Sequence, residues 1–253
     1  MKKSKLAKVL TVSLAALMVF GLASCGGGSG KVSDKDITVI SREEGSGTRD
    51  AFTELTGVLQ DDVDRTVDTA EISNSTSVVT QSVAGNDAAI GYISLGSLDD
   101  TVKAVKVDGV EATVDNIKSG DYKIQRPFNI VTKGEVKELP ADFIKFIMSK
   151  DGQKIIEDEG YISVNDNAEA YKASGLKGSI TLAGSTSVSP VMEVLADKYK
   201  ELNSGVTIEI QQTGSGAGIQ STTEGVCDIG MASRELKDEE TSQGLKSEEL
   251  ALD

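Results

Sequence analysis

Thr38-Val-Ile-Ser-Arg-Glu-Glu-Gly-Ser-Gly-Thr-Arg-Asp-Ala-Phe52 runs from a short β-type segment through a glycine-rich turn into the start of a helix. Gly45 and Gly47 allow a tight turn and close approach of the backbone to a ligand. The amides of Ser46 to Arg49 open a helix, where unpaired N–H groups and the dipole favour negative charge. Ser46 and Thr48 add hydroxyls. Arg42 adds a planar fork suited to a tetrahedral oxyanion, and Glu43 or Glu44 is placed to hold that guanidinium. One reading is an anion cradle; the other is a capped helix start beside a solvated charge run. This stretch alone leaves both open.

The same strand–turn–helix pattern recurs at Gly184-Ser-Thr-Ser187 and Gly214-Ser-Gly-Ala-Gly218. Neither is a nucleotide motif: no Gly-Lys-Ser/Thr closes a P-loop, and Ile219 stands where a dinucleotide fingerprint needs its last glycine. Any one of these turns is what an ordinary α/β domain uses to cap helices, whereas three together supply many neutral donors to one small oxyanion. Between them strands and helices alternate. Strands are expected at Ile37 to Ser41, Ala88 to Ser94 (buried), Val102 to Val107, Phe128 to Thr132, Ser179 to Ala183, Val206 to Gln211 and Asp228 to Ala232. Helices are expected at Thr48 to Leu59, Ser75 to Ala84, Thr113 to Ser119, Ala141 to Glu159, Ser187 to Leu202 and Gly216 to Glu224. Asn165 to Lys177 reads as a polar spacer, and Ser242 to Asp253 as a charged, abrupt ending.

At 253 residues and 38% hydrophobic the chain can bury a real core as one two-lobed unit or two small domains. Twenty-six glycines against three prolines suit an α/β fold with many tight turns. The formal charge is −14; without residues 1–24, which carry four lysines and no acid, it is 22 − 40 = −18. Such a chain repels nucleic acid and anionic lipid headgroups, so an anion must be held by local dipoles and one or two placed charges. There is no histidine, so no Ser-His-Asp triad, Cys-His pair or histidine metal site can be built, and no acidic cluster reads as a metal loop. No enzyme activity and no cofactor are expected.

Residues 1–24 have the layout of a secretory signal: Lys2, Lys3, Lys5 and Lys8, an apolar run Val9 to Ala23 too short for a confident membrane span, then small residues before Cys25. Leu22-Ala-Ser-Cys25 resembles the lipobox of bacterial lipoproteins, which implies acylation of Cys25. The chain is then lipid-anchored on the extracytoplasmic face of the cell membrane, with residues 25–35 as a flexible tether. Cys227 is left without a disulfide partner and reads as a small buried side chain.

Ser179 to Pro190, the Gly214 turn, Cys227-Asp-Ile-Gly-Met-Ala-Ser-Arg-Glu-Leu236, the Arg42 stretch and Ala89-Ile-Gly-Tyr-Ile-Ser-Leu-Gly96 resemble the phosphate-binding lipoproteins of bacterial phosphate ABC transporters. The resemblance covers nearly the whole chain after Cys25. It implies a two-lobed periplasmic-binding-protein-like α/β fold that captures inorganic phosphate and delivers it to membrane permease subunits. It implies phosphate ligands at Arg42, Ser46, Gly47, Thr48, Thr186, Ser187, Ser215 and Ser233, with Glu44 orienting Arg42. Two features depart from the family. Ser233 stands where some members carry an aspartate that accepts the phosphate proton, which leaves selectivity over sulfate open. The order of the halves is also exchanged: the segment resembling Lys177 to Asp253 comes first in the family and the one resembling Asp36 to Tyr161 second. The segment that crosses between lobes is missing.

The expected architecture is therefore a circularly permuted two-lobed fold, with residues 36–100 as an incomplete lobe two and residues 101–253 as lobe one. Lobe two is expected to be marginal, with an open sheet edge suited to a complementing module or a second copy of the chain. The competing functions are a degenerate sensor or interaction lipoprotein of the same fold and a binder of another tetrahedral oxyanion such as sulfate.

Overall fold

The computed structural model describes residues 36–253; the signal segment, Cys25 and the tether lie outside them. Two sheets organise the chain, a small one before residue 91 and a larger one after residue 126.

The large sheet has the order β10-β6-β9-β7-β8. Its strands are β6 (Pro127–Lys133), β7 (Gly178–Gly184), β8 (Val206–Gln212), β9 (Ile229–Ala232) and β10 (Leu245–Leu252). β7 pairs in parallel with β8 and β9, while β6 runs antiparallel to both β9 and β10. One face is covered by α4 (Glu138–Ile147), α5 (Lys150–Asp158) and α6 (Ser189–Leu202). Phe143, Phe146, Tyr199, Leu195, Ile180 and Met231 are wholly buried there, in the main core of the molecule. The other face carries α7 (Ser215–Glu224), whose Ile219 packs with Val131, Ala232 and Leu245. Gly218 lets α7 approach so closely that a Cβ there would collide with Gly184 Cα and Ala183 O.

The small sheet has the order β4-β1-β5, all parallel, from β1 (Thr38–Arg42), β4 (Glu71–Ser73) and β5 (Ala89–Ile90). A minor hairpin, β2 (Leu59–Gln60) with β3 (Val63–Asp64), lies between β1 and β4 in the chain. Helices α1 (Gly47–Leu55) and α2 (Thr76–Ala84) complete the lobe. Phe52 of α1 stacks on Tyr92 at 4.1 Å between ring centroids, and the Tyr92 hydroxyl accepts from Arg42 N at 3.1 Å, fixing the end of β1.

Several expectations are corrected. Val102 to Val107 forms no strand, because no neighbouring strand pairs with it; only a Val107–Val110 bridge is present. Residues 102–125, including α3 (Val114–Lys118), instead line a hollow of about 320 Å³ with Phe52, Val79 and Tyr92 of the small lobe. The run Ala88 to Ser94 pairs only at Ala89–Ile90, and Ile90 is 46% exposed, so it is a short edge rather than a buried strand. The long helix Ala141 to Glu159 breaks at Ser149, whose hydroxyl caps α5 by accepting from Gly152 N at 3.3 Å. Ser242 to Asp253 is mostly the edge strand β10, preceded by α8 (Asp238–Ser242). The spacer at 165–177 is a loop as expected; Asp142 pins it by accepting from the Tyr171 and Ser174 hydroxyls at 2.5 and 2.7 Å.

The two lobes differ in how much holds them together. Among residues 37–126 the buried apolar side chains are Ile40, Ala51, Val79, Ala88 and Ile117, against a core of twenty residues beyond Arg126. Small apolar burial offsets little chain entropy. Amides of β1 and α2 are therefore expected to exchange with solvent well before those of β7, β9 and α6 in hydrogen-exchange mass spectrometry. Equal protection across both lobes would show the small lobe to be self-sufficient.

Candidate functional site

Four helices begin at one place. Thr48 is the second residue of α1, Thr76 the first of α2, Ser215 the first of α7, and Ser187 stands two residues before α6. Their hydroxyls and those of Thr186, Ser185 and Ser233 form a buried cluster of two adjoining groups, Thr48, Thr76, Thr186 and Ser187 in one and Ser185, Ser215 and Ser233 in the other, joined where Ser187 N donates to Ser185 Oγ at 3.2 Å. Thr48 Oγ1 and Thr76 Oγ1 each lie 2.9 Å from Ser187 Oγ. Thr76 Oγ1 is 3.3 Å from Thr186 Oγ1. Ser185 Oγ donates to Ser233 Oγ at 3.0 Å, and Ser215 Oγ is 3.3 Å from Ser233 Oγ. Each is at most 6% exposed. Converging helix N-termini give the cluster a positive field without a net charge, and hydroxyls rotate to donate or accept as needed.

Arg42 is the cation of this site, and it is 1% exposed. Its outer edge is held bidentately by Glu43: Nε donates to Oε2 at 2.9 Å and Nη2 to Oε1 at 2.8 Å. Nε also donates to Ser73 O at 3.2 Å. The inner edge faces the hydroxyls, with Nη1 donating to Thr48 and Thr76 Oγ1 at 3.4 and 3.3 Å and Nη2 to Thr186 Oγ1 at 3.0 Å. Glu43, not Glu44, is thus the orienting carboxylate. Glu43 N bonds Ser73 O and so continues the edge of β1, keeping its side chain beside that of Arg42, whereas Glu44 falls in the turn and is exposed. Arg49 points elsewhere: Nε and Nη2 pair with Asp64 Oδ2 at 2.8 and 2.7 Å, and Nη1 donates to Arg42 O. Burial pushes the Asp64 carboxyl up, but the Thr66 and Arg49 donors outweigh it and hold the pKa below the usual range.

Arg42, Thr48, Thr186, Ser187, Ser215 and Ser233 are brought together. Gly47 packs against Ser215 and Ser233. The Ser46 hydroxyl caps α1 by accepting from Arg49 N at 3.5 Å and makes no hydrogen bond to the cluster hydroxyls. Gly45, at φ +80°, makes the turn, and its carbonyl accepts from Gly216 N of α7 at 2.9 Å across the two lobes. Thr76 and Ser185 were not foreseen. Ser185 lies inside the Gly184 turn; Thr76 opens a helix with no glycine before it, and the Ser75-Thr pair after β4 was the available capping signal.

Behind the cluster lies a second buried guanidinium. Arg126 pairs with Asp253, Nε and Nη2 donating to Oδ2 at 3.1 and 3.0 Å, while Leu95 N donates to Asp253 Oδ1 at 2.6 Å. These three residues tie together the passages between the lobes. Burial pushes the Asp253 carboxyl up, against the pull of Arg126 and the Leu95 and Gly96 amides. Among the described residues no group of His, Cys, Asp and Glu is arranged to hold a metal, and no helix is long and apolar enough to cross a membrane.

A family model described as a PBP superfamily domain matches residues 28–151 and 169–252. Phosphate-binding protein PstS 2 of Streptococcus agalactiae is 51% identical over 260 residues, covering 100% of this chain and 88% of that protein. Phosphate-binding protein PstS of Bacillus subtilis is 35% identical over 149 residues, 56% of this chain and 46% of its own length. A crystal structure of a phosphate-binding protein of a phosphate ABC transporter from Streptococcus pneumoniae is 49% identical, with a TM-score of 0.70 over 87% of this chain and 86% of that one.

Proposed function

The chain belongs to the PBP superfamily, and from that premise we propose that it captures inorganic phosphate outside the cytoplasm and hands it to the membrane permease of an ABC importer. The observation that carries this reading is the convergence of four helix N-termini and the inner edge of Arg42 on one hydroxyl cluster. A tetrahedral anion between the lobes would take over the hydrogen bonds these hydroxyls now make with one another. The ligand set we assign is Arg42, Thr48, Thr76, Thr186, Ser187, Ser215 and Ser233, with the Gly47 amide at the start of α1 and Glu43 orienting Arg42. Micromolar affinity corresponds to about 8 kcal/mol, which a handful of charge-assisted hydrogen bonds at about 1.5–3 kcal/mol each supply after closure costs. The reading is one of binding without chemistry, since the cluster holds neither a general base nor an activated nucleophile. Calorimetric titration with phosphate tests it, and absence of saturable heat rejects it.

Sulfate belongs in the same experiment. The one carboxylate at the site, Glu43, already accepts two hydrogen bonds from Arg42, so a phosphate proton would be accepted by hydroxyls. Sulfate is therefore expected to compete measurably, and its complete exclusion would place an obligate acceptor in the site.

We place the lobe boundary at Arg126 instead of residue 100, because residues 102–125 share their hollow with α1 and α2. We propose that the two halves of the chain are exchanged in order relative to the family. This requires that a structure of the Bacillus subtilis protein show the strands equivalent to β7 and β9 before the one equivalent to β1. Lipid anchoring at Cys25 rests on the lipobox-like Leu22-Ala-Ser-Cys25. Cys25→Ala is expected to leave the protein unprocessed or release it from the membrane fraction; unchanged gel mobility and fractionation would refute the anchor.

A further inference from the structure

Outside the hydroxyl cluster, one buried cation touches both lobes. Arg234 follows β9 in the large lobe and is 8% exposed. Within that lobe it is gripped by Glu240 in the first turn of α8, Nη1 donating to Oε2 and Nη2 to Oε1, each at 2.8 Å, and Nη1 also donates to Glu235 O. Its remaining nitrogen, Nε, lies 2.9 Å from Asp50 Oδ2 in the first turn of α1 in the small lobe. That contact is off the N–H direction, so it is a charge contact and not a hydrogen bond. We propose that Arg234 and Asp50 form a closure latch that sets anion affinity without touching the ion; the proposal rests on the phosphate reading of the cluster.

Glu240 binds Arg234 whether the lobes are together or apart, so the guanidinium is presented ready-made to Asp50. No loose side chain has to be ordered on closing, which removes the cost that makes most surface pairs ineffective. The geometry also gives the latch leverage. Asp50 is two residues from Thr48, on the helix whose first turn enters the cluster, and Arg234 is adjacent in sequence to Ser233. A contact that fixes α1 against β9 therefore fixes Thr48 and Gly47 against Ser187, Ser215 and Ser233. Apparent affinity falls in proportion to the fraction of molecules in the competent closed form.

Asp50→Asn separates the latch from simple electrostatics because the two predict opposite signs. Removing a negative charge near an anion site by itself strengthens anion binding. Loss of the latch weakens it. The latch predicts that the phosphate Kd of Asp50→Asn rises about fivefold or more, a modest coupling between sites, with the rise in the dissociation rate. Asp50→Glu should restore most of the affinity, and Arg234→Lys, which keeps the charge but loses the fork, should resemble Asp50→Asn. Small-angle X-ray scattering of the phosphate-free proteins should show a larger radius of gyration for Asp50→Asn than for the unaltered chain. Unchanged or tighter phosphate binding with an unchanged radius overturns the latch. If the unaltered protein gives no heat with phosphate, the functional reading fails, while the scattering comparison still decides whether Arg234 and Asp50 hold the lobes together.

Discussion

Arg42→Ala is expected to weaken phosphate binding at least a hundredfold, while Arg49→Ala changes it less than tenfold. Both residues are cations flanking the same turn, so charge count alone cannot separate them; partners do. Arg42 turns its inner edge to Thr48, Thr76 and Thr186 and is 1% exposed, whereas the Arg49 guanidinium is taken up by Asp64 and Arg42 O. Breaking one partner of a buried charged pair typically costs about 3–5 kcal/mol, or about two to three and a half orders of magnitude in affinity where the partner is the ligand. The fold should survive, since Glu43 is only half-buried and is left free to reach solvent. Arg42→Lys should fall between the two, because an ammonium cannot hold Glu43 and the anion with separate edges. Calorimetry on the three variants decides it, and equal losses for Arg42→Ala and Arg49→Ala would refute the assignment.

The three glycine-serine turns were legible because turn chemistry is local: a strand that must deliver a helix N-terminus to a ligand needs small residues at the junction, whatever surrounds it. For the same reason Thr48, Ser187, Ser215 and their strands fell close to where they were expected. What the sequence withheld was decided by partners far along the chain. Val102 to Val107 has strand composition but no strand to pair with, so propensity had nothing to act on. β10 was misread because its exposed positions Lys246, Ser247 and Glu248 mask an edge strand whose buried residues are Leu245, Leu250 and Ala251. The choice between Glu43 and Glu44 depended on where β1 gives way to the turn, a boundary that shifts easily by a residue in any sequence reading. Thr76 entered the site because β4 lies beside β1, a pairing no local pattern announces.

Gly47→Ala should separate stability from function in opposite directions. Gly47 is the first residue of α1 and, unlike Gly45, does not need a left-handed backbone. Intrinsic helix preference therefore favours alanine there by up to about 1 kcal/mol, so the melting temperature should hold or rise. The added methyl, however, has no space in the closed molecule. Its Cβ would stand 2.5 Å from Ser215 Oγ, 2.9 Å from Ser233 Oγ and 3.0 Å from Ser215 Cβ. A hydroxyl can rotate away from a clash, but these two are bonded to each other, Ser233 is bonded to Ser185 as well, and the Ser215 Cβ contact remains after any rotation. Relief comes most cheaply from moving the lobes apart, since Gly47 belongs to the small lobe and both serines to the large one. That movement pulls Arg42 and Thr48 away from Thr186 and Ser187 by a fraction of the added methyl's radius, and displacements near 1 Å in a pre-arranged site can cost on the order of a hundredfold. The expected result is a phosphate Kd about a hundredfold weaker in calorimetry, with an unchanged or higher midpoint in thermal unfolding without phosphate. Affinity within threefold of the unaltered protein would mean that Ser215 and Ser233 do not close on Gly47 around the ion. A parallel fall in melting temperature would mean that the methyl damages the fold, and the site only through it.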